Sequence, residues 1–284
     1  MLGQIIKGST VRINFFRNIA DVIANRAAPN TYYRWTNKRN RFRGKKHTVR
    51  QAAGENPQIH IAEDGKEKIY ICRRGRHNRY KNGIMSGVNK LAAEYSLDML
   101  SELRDGIFIE CGANVGELGF WARERGFQYI PFEPEQLEAR CVDLNNFDGE
   151  IKCIRKALWK EETVLKFFTK ADSADSSTIQ FDQSSESVEI EAIDLDTAVS
   201  IPDDFKGPVI FKLEAEGAEP EILEGARKTI SHIDYVTVDC GPERGAEKRH
   251  TIVETNRFLT QNGFELLEMK LDRVTALYRR IPHE

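Results

Sequence analysis

The residues best suited to binding chemistry form a short glycine-containing segment at positions 112–116, with the sequence GANVG. The segment follows the apolar run 107–111 and precedes a stretch that has the pattern of a helix. Glycine lets the backbone turn sharply and approach a ligand closely, and the start of a helix presents free N–H groups. A dinucleotide-binding turn of the GxGxxG type has glycine where this chain has Asn114, which weakens an NAD-binding interpretation.

A second candidate is Glu133, which stands 21 residues after Gly112 at the end of the next apolar run. An acid at the end of a second strand accepts hydrogen bonds from ribose hydroxyls. Together with the glycine segment, it predicts a ligand that carries a nucleoside. The alternative is that Glu133 only complements the dipole of the following helix, and that the glycine segment is an ordinary tight turn.

Acidic side chains lie at the ends of several apolar runs. Glu110, Glu133, Glu214 and Asp239 all stand at or just after the last residues of such runs. If these runs are parallel strands, their carboxyl ends meet at one edge of a sheet, which is where ligands bind in open α/β folds. The four carboxylates therefore predict a site at that edge.

Short apolar runs alternate with helical segments from Gly106 onward, which predicts an α/β fold with a parallel sheet and right-handed crossovers. The predicted strands cover 107–111, 129–132, 151–157, 209–213, 235–240, 264–267 and 274–278. Only a short turn separates the last two, so we expect them to pair antiparallel. A further pair of alternating segments, 164–168 and 188–192, flanks a loop rich in Ser and Asp at 172–187.

The residues 107–116, the FEP tripeptide at 132–134, and the segment 212–219 followed by EGA at 224–226 resemble the FkbM-type methyltransferases. The resemblance extends over about residues 84–280. It implies the class I methyltransferase fold, a Rossmann-like, mostly parallel seven-stranded sheet with an antiparallel last strand. It also implies S-adenosyl-L-methionine as the cofactor and methyl transfer, in this family usually to oxygen of sugars or secondary metabolites.

The resemblance carries roles onto particular positions of this chain. The glycine turn would hold the methionine portion of the cofactor, Glu133 the ribose, and the segment after the third strand the adenine. Leu195 and Asp196 would match a short element before the fourth strand, and the family more often has Asp where this chain has Glu110 and Glu214. The implied cofactor-binding residues are Glu110, Gly112, Ala113, Asn114, Gly116, Glu133, Ala157 and Leu158.

Methyl transfer to an alcohol is an in-line displacement in which the acceptor also loses a proton. A positioned base accelerates such a step by about 10²–10⁴-fold. The candidates are Glu214, Glu216 and Asp239, with Glu216 the first choice, provided that burial raises their pKa values. The expected acceptor is a carbohydrate or another small molecule. The six histidines lack metal-ligand spacing, so no metal site is predicted.

Charge is distributed unevenly along the chain. Residues 1–50 contain twelve Lys and Arg and one acid, whereas the remainder contains 30 basic and 43 acidic residues. A basic arm on an acidic body predicts an anionic partner for the arm, either a membrane surface or a glycan, with nucleic acid less favoured. The pattern at 12–26 indicates a short amphipathic helix. The alternative is a solvated arm that packs on the acidic body or on the second subunit of a homodimer.

These patterns predict three regions: a basic arm at 1–56, a small β-hairpin region at 57–83 and a methyltransferase domain at 84–284. The five cysteines are scattered, and no apolar run approaches the ~18 residues of a membrane-spanning helix. We therefore expect a cytoplasmic protein, peripheral to the inner membrane face if the arm binds lipid. Two rival functions stay open, an RNA methyltransferase that uses the arm and a catalytically silent scaffold.

Overall fold

The computed structural model describes residues 28–169, 186–245 and 247–282. The predicted amphipathic helix at 12–26 and most of the loop at 172–187 lie outside these residues. The chain divides between Gly87 and Val88 into two compact units. Within the described residues, no helix has both the length and the apolar character needed to cross a membrane.

The smaller unit contains one helix and a three-stranded antiparallel sheet in the order β1-β2-β3. Its elements are α1 (Pro29–Phe42), β1 (Thr48–Gln51), β2 (His60–Glu63), β3 (Lys68–Ile71) and a 3₁₀ helix (Arg74–Tyr80). The turn between β2 and β3 forms because Oδ1 of Asp64 accepts the N–H groups of Lys66 and Glu67, each at 3.0 Å. Since β1 pairs with β2, residues on both sides of position 56 share one sheet.

The larger unit alternates strands and helices, and its first helix, α2, begins before the division between the units. The helices are α2 (Ile84–Glu94), α3 (Glu117–Arg123), α4 (Gln136–Asn146), α5 (Leu195–Ala198), α6 (Glu219–Glu224) and α7 (Ile252–Gln261). The strands are β4 (Ile107–Cys111), β5 (Gln128–Phe132), β6 (Ala157–Leu158), β7 (Thr163–Thr169), β8 (Glu186–Ile193), β9 (Val209–Leu213), β10 (Tyr235–Asp239), β11 (Phe264–Lys270) and β12 (Thr275–Arg280). Two 3₁₀ turns cover Leu97–Leu100 and Thr229–His232.

The main sheet has the order β11-β12-β10-β9-β4-β5. Strands β10, β9, β4 and β5 are parallel, whereas β12 is antiparallel to both of its neighbours. The sheet is therefore mixed, as the sequence predicts. Parallel pairing brings the carboxyl ends of β4, β5, β9 and β10 to one edge.

The sheet departs from the prediction in strand number, because it has six strands in the described residues instead of seven. The expected third strand at 151–157 is reduced to one parallel bridge between Phe132 and Ile154. Oδ1 of Asp143 accepts the N–H groups of Lys152 and Cys153 at 3.0 and 2.8 Å. Because these N–H groups donate to a side chain, they do not form the backbone hydrogen bonds of a third strand.

A second sheet, of order β6-β8-β7, is formed by the alternating segments around the loop. Strands β7 and β8 pair antiparallel, and β6 joins β8 in parallel through Ala157 and Leu158. The short strand β6 thus follows the bridge at Ile154 but belongs to a different sheet.

Strands β4 and β9 are buried along their whole length and form the centre of the apolar core. Burying one aliphatic or aromatic side chain contributes about 1.5–3 kcal/mol. Two charged side chains interrupt this core, Glu110 on β4 and Lys212 on β9, which are register partners in adjacent strands. They lie next to the carboxyl edge of the sheet.

Candidate active site

The glycine loop, residues 112–116, leaves β4 in a conformation that depends on glycine. Gly112 and Gly116 have φ angles of +71° and +76°, and Asn114 lies in the same region at +51°. A Cβ atom on Gly112 would lie 2.5 Å from the carbonyl oxygen of Glu214, and one on Gly116 would lie 2.5 Å from Nδ2 of Asn146. At these two positions, Gly112 and Gly116, the backbone approaches its neighbours too closely for a side chain to fit without a shift of the surrounding atoms.

Two sets of hydrogen bonds fix the glycine loop. The N–H groups of Gly112 and Ala113 donate to the carbonyl of Phe132 at 3.1 and 3.0 Å. On the far side, the amides of two asparagines at the end of α4 donate to the carbonyls of Val115 and Gly116, at 2.7 and 3.1 Å. These asparagines, Asn145 and Asn146, have no sequence signal beyond their place at a helix end.

Glu133 contacts the glycine loop directly. Its Oε2 accepts the N–H of Asn114 at 2.8 Å, and its Oε1 accepts the N–H of Glu135 at 2.9 Å. The residue is 6% exposed, and burial raises its pKa to about 8, with Glu138 and Glu135 adding to the shift. Each carboxylate oxygen keeps capacity for a further donor.

The loop and Glu133 together suit a nucleoside-bearing ligand. Oδ1 of Asn114 is buried and has no hydrogen-bond partner among the described residues. An unpartnered buried acceptor is costly unless a ligand or water supplies a donor. Ribose hydroxyls provide donors for the Glu133 carboxylate, so the polar groups present here fit such a ligand.

A buried ion pair between β4 and β9 supports the start of the glycine loop. The Lys212 ammonium donates to the carbonyls of Cys111 and Gly112 at 3.2 and 2.9 Å, and it lies 3.4 Å from Oε1 of Glu110. Burial alone would lower the pKa of Lys212, but Glu214 and Glu110 raise it above its ordinary value. The lysine is therefore charged, and it fixes the point where β4 passes into the loop.

Glu110 supplies a carboxylate to this ion pair. It is 2% exposed, and its Oε2 accepts the hydroxyl of Tyr129 at 2.5 Å. Burial raises its pKa, while Lys212 and Tyr129 oppose the shift. The carboxylate thus holds Lys212, whereas the resemblance implied a direct role in cofactor binding.

Two of the expected proton acceptors are committed to cations. Glu214 lies 2.9 Å from the Lys212 ammonium and 2.5 Å from the Arg273 guanidinium. Burial would raise the pKa of Glu214, but these two cations lower it to about 2. Asp239 is 2.7 Å from Nε of Arg273 and also accepts the N–H of Gly241. Burial and Glu214 raise the pKa of Asp239, while Arg273 opposes the shift. Both carboxylates are held by Arg273, and the low pKa of Glu214 makes that residue a poor base.

The third expected base, Glu216, lies in the turn between β9 and α6. It is half-buried and has a φ angle of +51°. The buried carboxylate of Glu219 holds this turn by accepting the N–H groups of Ala215 and Gly217, at 3.0 and 3.1 Å, and the hydroxyl of Thr251 at 2.9 Å. Glu219 therefore fixes two loops, which is more than the helix-dipole role that its position predicts.

Glu243, in the loop after β10, is a carboxylate that the sequence interpretation missed. A Cβ atom on Gly241 would lie 3.2 Å from the Asp239 carboxylate and 3.4 Å from that of Glu243, so both border the same space. Glu243 is half-buried, and its backbone N–H donates to the carbonyl of Gly241 at 2.9 Å. Its carboxylate makes no hydrogen bond or ion pair within the described part of the chain. Burial raises its pKa to about 7, with Asp239, Glu214 and Glu219 adding to the shift and Arg273 opposing it. The sequence offered one signal for Glu243, namely its position four residues after Asp239 at the end of β10.

The residues expected near adenine, Ala157 and Leu158, are both buried. Leu158 packs in the same apolar cluster as Phe132, the residue before Glu133. The carboxylate of Asp196, on α5, accepts the N–H groups of Lys228 and Thr229. Asp196 therefore has a structural role, because it holds the start of the 3₁₀ turn at Thr229–His232.

These features describe an α/β protein in which a mixed sheet brings the glycine loop and Glu133 together at the carboxyl ends of its parallel strands. The family model described as methyltransferase FkbM domain matches residues 110–266, and the chain belongs to this family. The protein is thus a member of a methyltransferase family whose cofactor is S-adenosyl-L-methionine. The match confirms the resemblance seen in the sequence.

The solved structures that match this chain are distant from it. The methyltransferase FkbM from Methylobacillus flagellatus is 20% identical, with a TM-score of 0.42 over 65% of this chain and 47% of that one. The S-adenosylmethionine-bound magnesium protoporphyrin IX methyltransferase from Synechocystis is 11% identical, with a TM-score of 0.38 over 72% and 83%. An rRNA methylase from Streptococcus thermophilus is 15% identical, with a TM-score of 0.38 over 67% and 97%. The chain thus spans about half of the FkbM methyltransferase, and no curated protein matches it.

Proposed function

We propose that the protein transfers a methyl group from S-adenosyl-L-methionine to a hydroxyl oxygen of a carbohydrate or another small molecule. The observation that supports oxygen as the acceptor atom is the unpaired, half-buried carboxylate of Glu243 beside the strand-end acids. An alcohol must lose a proton as it is methylated, and a carboxylate with a raised pKa is suited to take it.

The cofactor side of the site is formed by the glycine loop and Glu133. Glu133 would accept hydrogen bonds from the ribose hydroxyls, and Oδ1 of Asn114 would accept one from a donor of the methionine portion. Lys212 keeps the carbonyls of Cys111 and Gly112 in place, so the loop is preorganised. When bound, the cofactor supplies an electrophilic methyl group on a positively charged sulfur.

The acceptor side is formed by the loops after β9 and β10. We assign Glu243 to receive the hydroxyl proton, and Glu216 to orient the acceptor. Glu214 and Asp239 pair with Arg273 and hold these loops. Holding the acceptor oxygen in line contributes about 7–11 kcal/mol in well-aligned reactions, which exceeds the contribution of the base.

The charge of this edge favours a neutral, polyhydroxylated acceptor. Its acids outnumber its cations. The buried Lys212 and the half-buried Arg273 pair with Glu110, Glu214 and Asp239, while Glu133, Glu219 and Glu243 add further acidic side chains. Carboxylates accept hydrogen bonds from sugar hydroxyls, whereas they repel phosphate groups. This argument disfavours RNA as the acceptor.

We place the reaction in the cytoplasm. The cysteines of the described residues are free, and four of the five, Cys111, Cys141, Cys153 and Cys240, are buried. Unpaired thiols suit a reducing compartment.

The test is incubation of the full chain with methyl-labelled S-adenosylmethionine and a panel of neutral sugars, amino sugars, nucleosides and RNA oligonucleotides. Mass spectrometry then detects S-adenosylhomocysteine and the labelled product. We expect O-methylation within the neutral sugars or other small hydroxyl compounds. Transfer only to nitrogen, carbon or RNA contradicts the proposal.

A further inference from the structure

Helix α1 of the smaller unit has an outward face that combines cations with large aromatic side chains. Arg34, Trp35, Lys38, Arg41 and Phe42 are all exposed. Their spacing of three and four residues places them on one side of the helix. The side chains buried on the opposite side are those of Tyr32, Thr36 and Asn40.

The two aromatic side chains are unusually accessible. Trp35 is 40% exposed and Phe42 is 91% exposed, and they are the exposed large apolar residues of the smaller unit as described. Seven residues separate them, which corresponds to about 10.5 Å along a helix axis. Both rings therefore project from the same side of the helix.

Three of the cations between and beside these rings have no side-chain partner among the described residues. Arg34, Lys38 and Arg41 form no ion pair or side-chain hydrogen bond in the part of the chain that the structure describes. Residues 28–87 contain fifteen Lys and Arg and four acids, whereas residues 88–284 contain 23 and 39. An anionic surface therefore attracts the smaller unit and repels the larger one.

We propose that this face of α1 docks the protein on an anionic phospholipid membrane surface. A helix that lies in the plane of a membrane carries Trp, Phe or Leu toward the acyl boundary and Lys or Arg toward the headgroups. The guanidinium of Arg39 covers one side of the Trp35 ring, at 4.6 Å from its centroid. Base stacking needs open ring faces in a groove, so the arrangement favours lipid over single-stranded nucleic acid.

The test is co-sedimentation of the full chain with phosphatidylcholine vesicles that contain 0 or about 30% phosphatidylglycerol, at low and high salt. The charge variant is Arg34→Gln/Lys38→Gln/Arg41→Gln, and the aromatic variant is Trp35→Ser/Phe42→Ser. A matched control, Lys66→Gln/Lys206→Gln/Lys228→Gln, removes the same charge from exposed positions elsewhere. Circular dichroism verifies that each variant is folded.

We expect salt-sensitive binding only to the anionic vesicles. The charge variant should weaken it about 100-fold, the aromatic variant about tenfold, and the control by much less. Trp35 emission should shift to the blue on binding, as shown by comparison with Trp35→Phe. Equal binding by charge variant and control, equal binding to neutral vesicles, or no binding at low salt overturns the proposal. A single-stranded RNA that binds more tightly and loses affinity in the same variants overturns it as well.

Discussion

The backbone N–H of Asn114 donates a 2.8 Å hydrogen bond to Oε2 of Glu133. This bond joins the loop after β4 to the end of β5, so the two parts of the nucleoside site are one structure. The same loop is held from β9 by Lys212, through the carbonyls of Cys111 and Gly112. The site is therefore preorganised by contacts between neighbouring parallel strands.

We predict that Glu133→Ala weakens S-adenosylhomocysteine binding by about 1–3 kcal/mol, because the hydrogen bonds between its carboxyl group and the ribose hydroxyls are lost. Isothermal titration calorimetry measures the change. Glu150→Gln, an exposed substitution after α4, is the control and should bind normally. Unchanged affinity in Glu133→Ala removes this residue from the site.

Gly112→Ala should reduce cofactor affinity at least tenfold. The added Cβ meets the carbonyl oxygen of Glu214, and the φ angle of +71° disfavours a side chain. Gly54→Ala has a similar φ of +80° but open space around the Cβ, so it controls for backbone strain alone. If Gly112→Ala binds S-adenosylhomocysteine as wild type does, the loop is not the binding element.

Lys212→Met should destabilise the larger unit by about 3–5 kcal/mol, because it leaves the carboxylate of Glu110 buried without its cation. Urea denaturation at pH 7.5 measures the loss. Lys152→Met removes an exposed lysine and should leave the midpoint nearly unchanged. A Lys212→Met protein as stable as wild type contradicts the support role of this ion pair.

The ionisation of Glu243 should change the ratio of the affinities for S-adenosylmethionine and S-adenosylhomocysteine. S-adenosylmethionine carries a positive charge that S-adenosylhomocysteine lacks, and a pKa of about 7 means that Glu243 becomes negative as the pH rises through neutrality. The preference for S-adenosylmethionine should therefore increase several-fold from pH 6 to pH 8. Glu243→Gln should flatten this increase, whereas Glu247→Gln, at an exposed position of the same loop, should not.

Once an acceptor is in hand, the same Glu243→Gln variant should lower kcat by about 10²–10⁴-fold and leave KM nearly unchanged. The rising limb of the pH–rate profile near pH 7 should disappear. A kcat within twofold of wild type assigns proton removal to another group.

The smaller unit should lose stability in acid. Burial lowers the pKa values of His47, His60 and His77 to about 4, 4 and 3. These histidines are neutral in the folded state and charged below about pH 6.5 in the unfolded state, so their contribution is present above pH 6.5 and falls as the pH drops. At pH 5 the loss is about 2 kcal/mol per histidine.

Hydrogen exchange in β1 to β3 at pH 7 and pH 5, corrected for intrinsic rates, measures this loss. Buried acids with raised pKa values, such as Glu133, act in the opposite direction in the larger unit, because they favour the folded state on acidification. Equal protection of the smaller unit at both pH values contradicts the prediction.

Much of the fold could be predicted because it depends on local patterns. The apolar runs of β4, β9 and β10 are short, continuous and separated by helical segments, which is the pattern of a parallel sheet. The contact between the glycine loop and Glu133 follows from that sheet, since both stand at the carboxyl ends of the adjacent strands β4 and β5. Only local sequence and topology were needed.

The remainder depends on side chains that meet across long stretches of chain. The third strand is reduced to a bridge because Asp143 takes the N–H groups of Lys152 and Cys153. Glu214 is an ordinary candidate base by position and becomes a permanent anion only through Lys212 and Arg273. Periodicity carries no information about such pairings. Glu243 could not be predicted for a related reason, since its raised pKa comes from burial and from the neighbouring acids Asp239, Glu214 and Glu219.

The most direct test of the nucleoside site is a comparison of S-adenosylhomocysteine with NAD by thermal unfolding and calorimetry of the full chain. A ligand at 100 times its Kd stabilises the folded state by about 2.7 kcal/mol. We predict saturable binding of one S-adenosylhomocysteine per chain, with a raised Tm, and no response to NAD. No shift with S-adenosylhomocysteine, or a shift with NAD alone, would contradict the account.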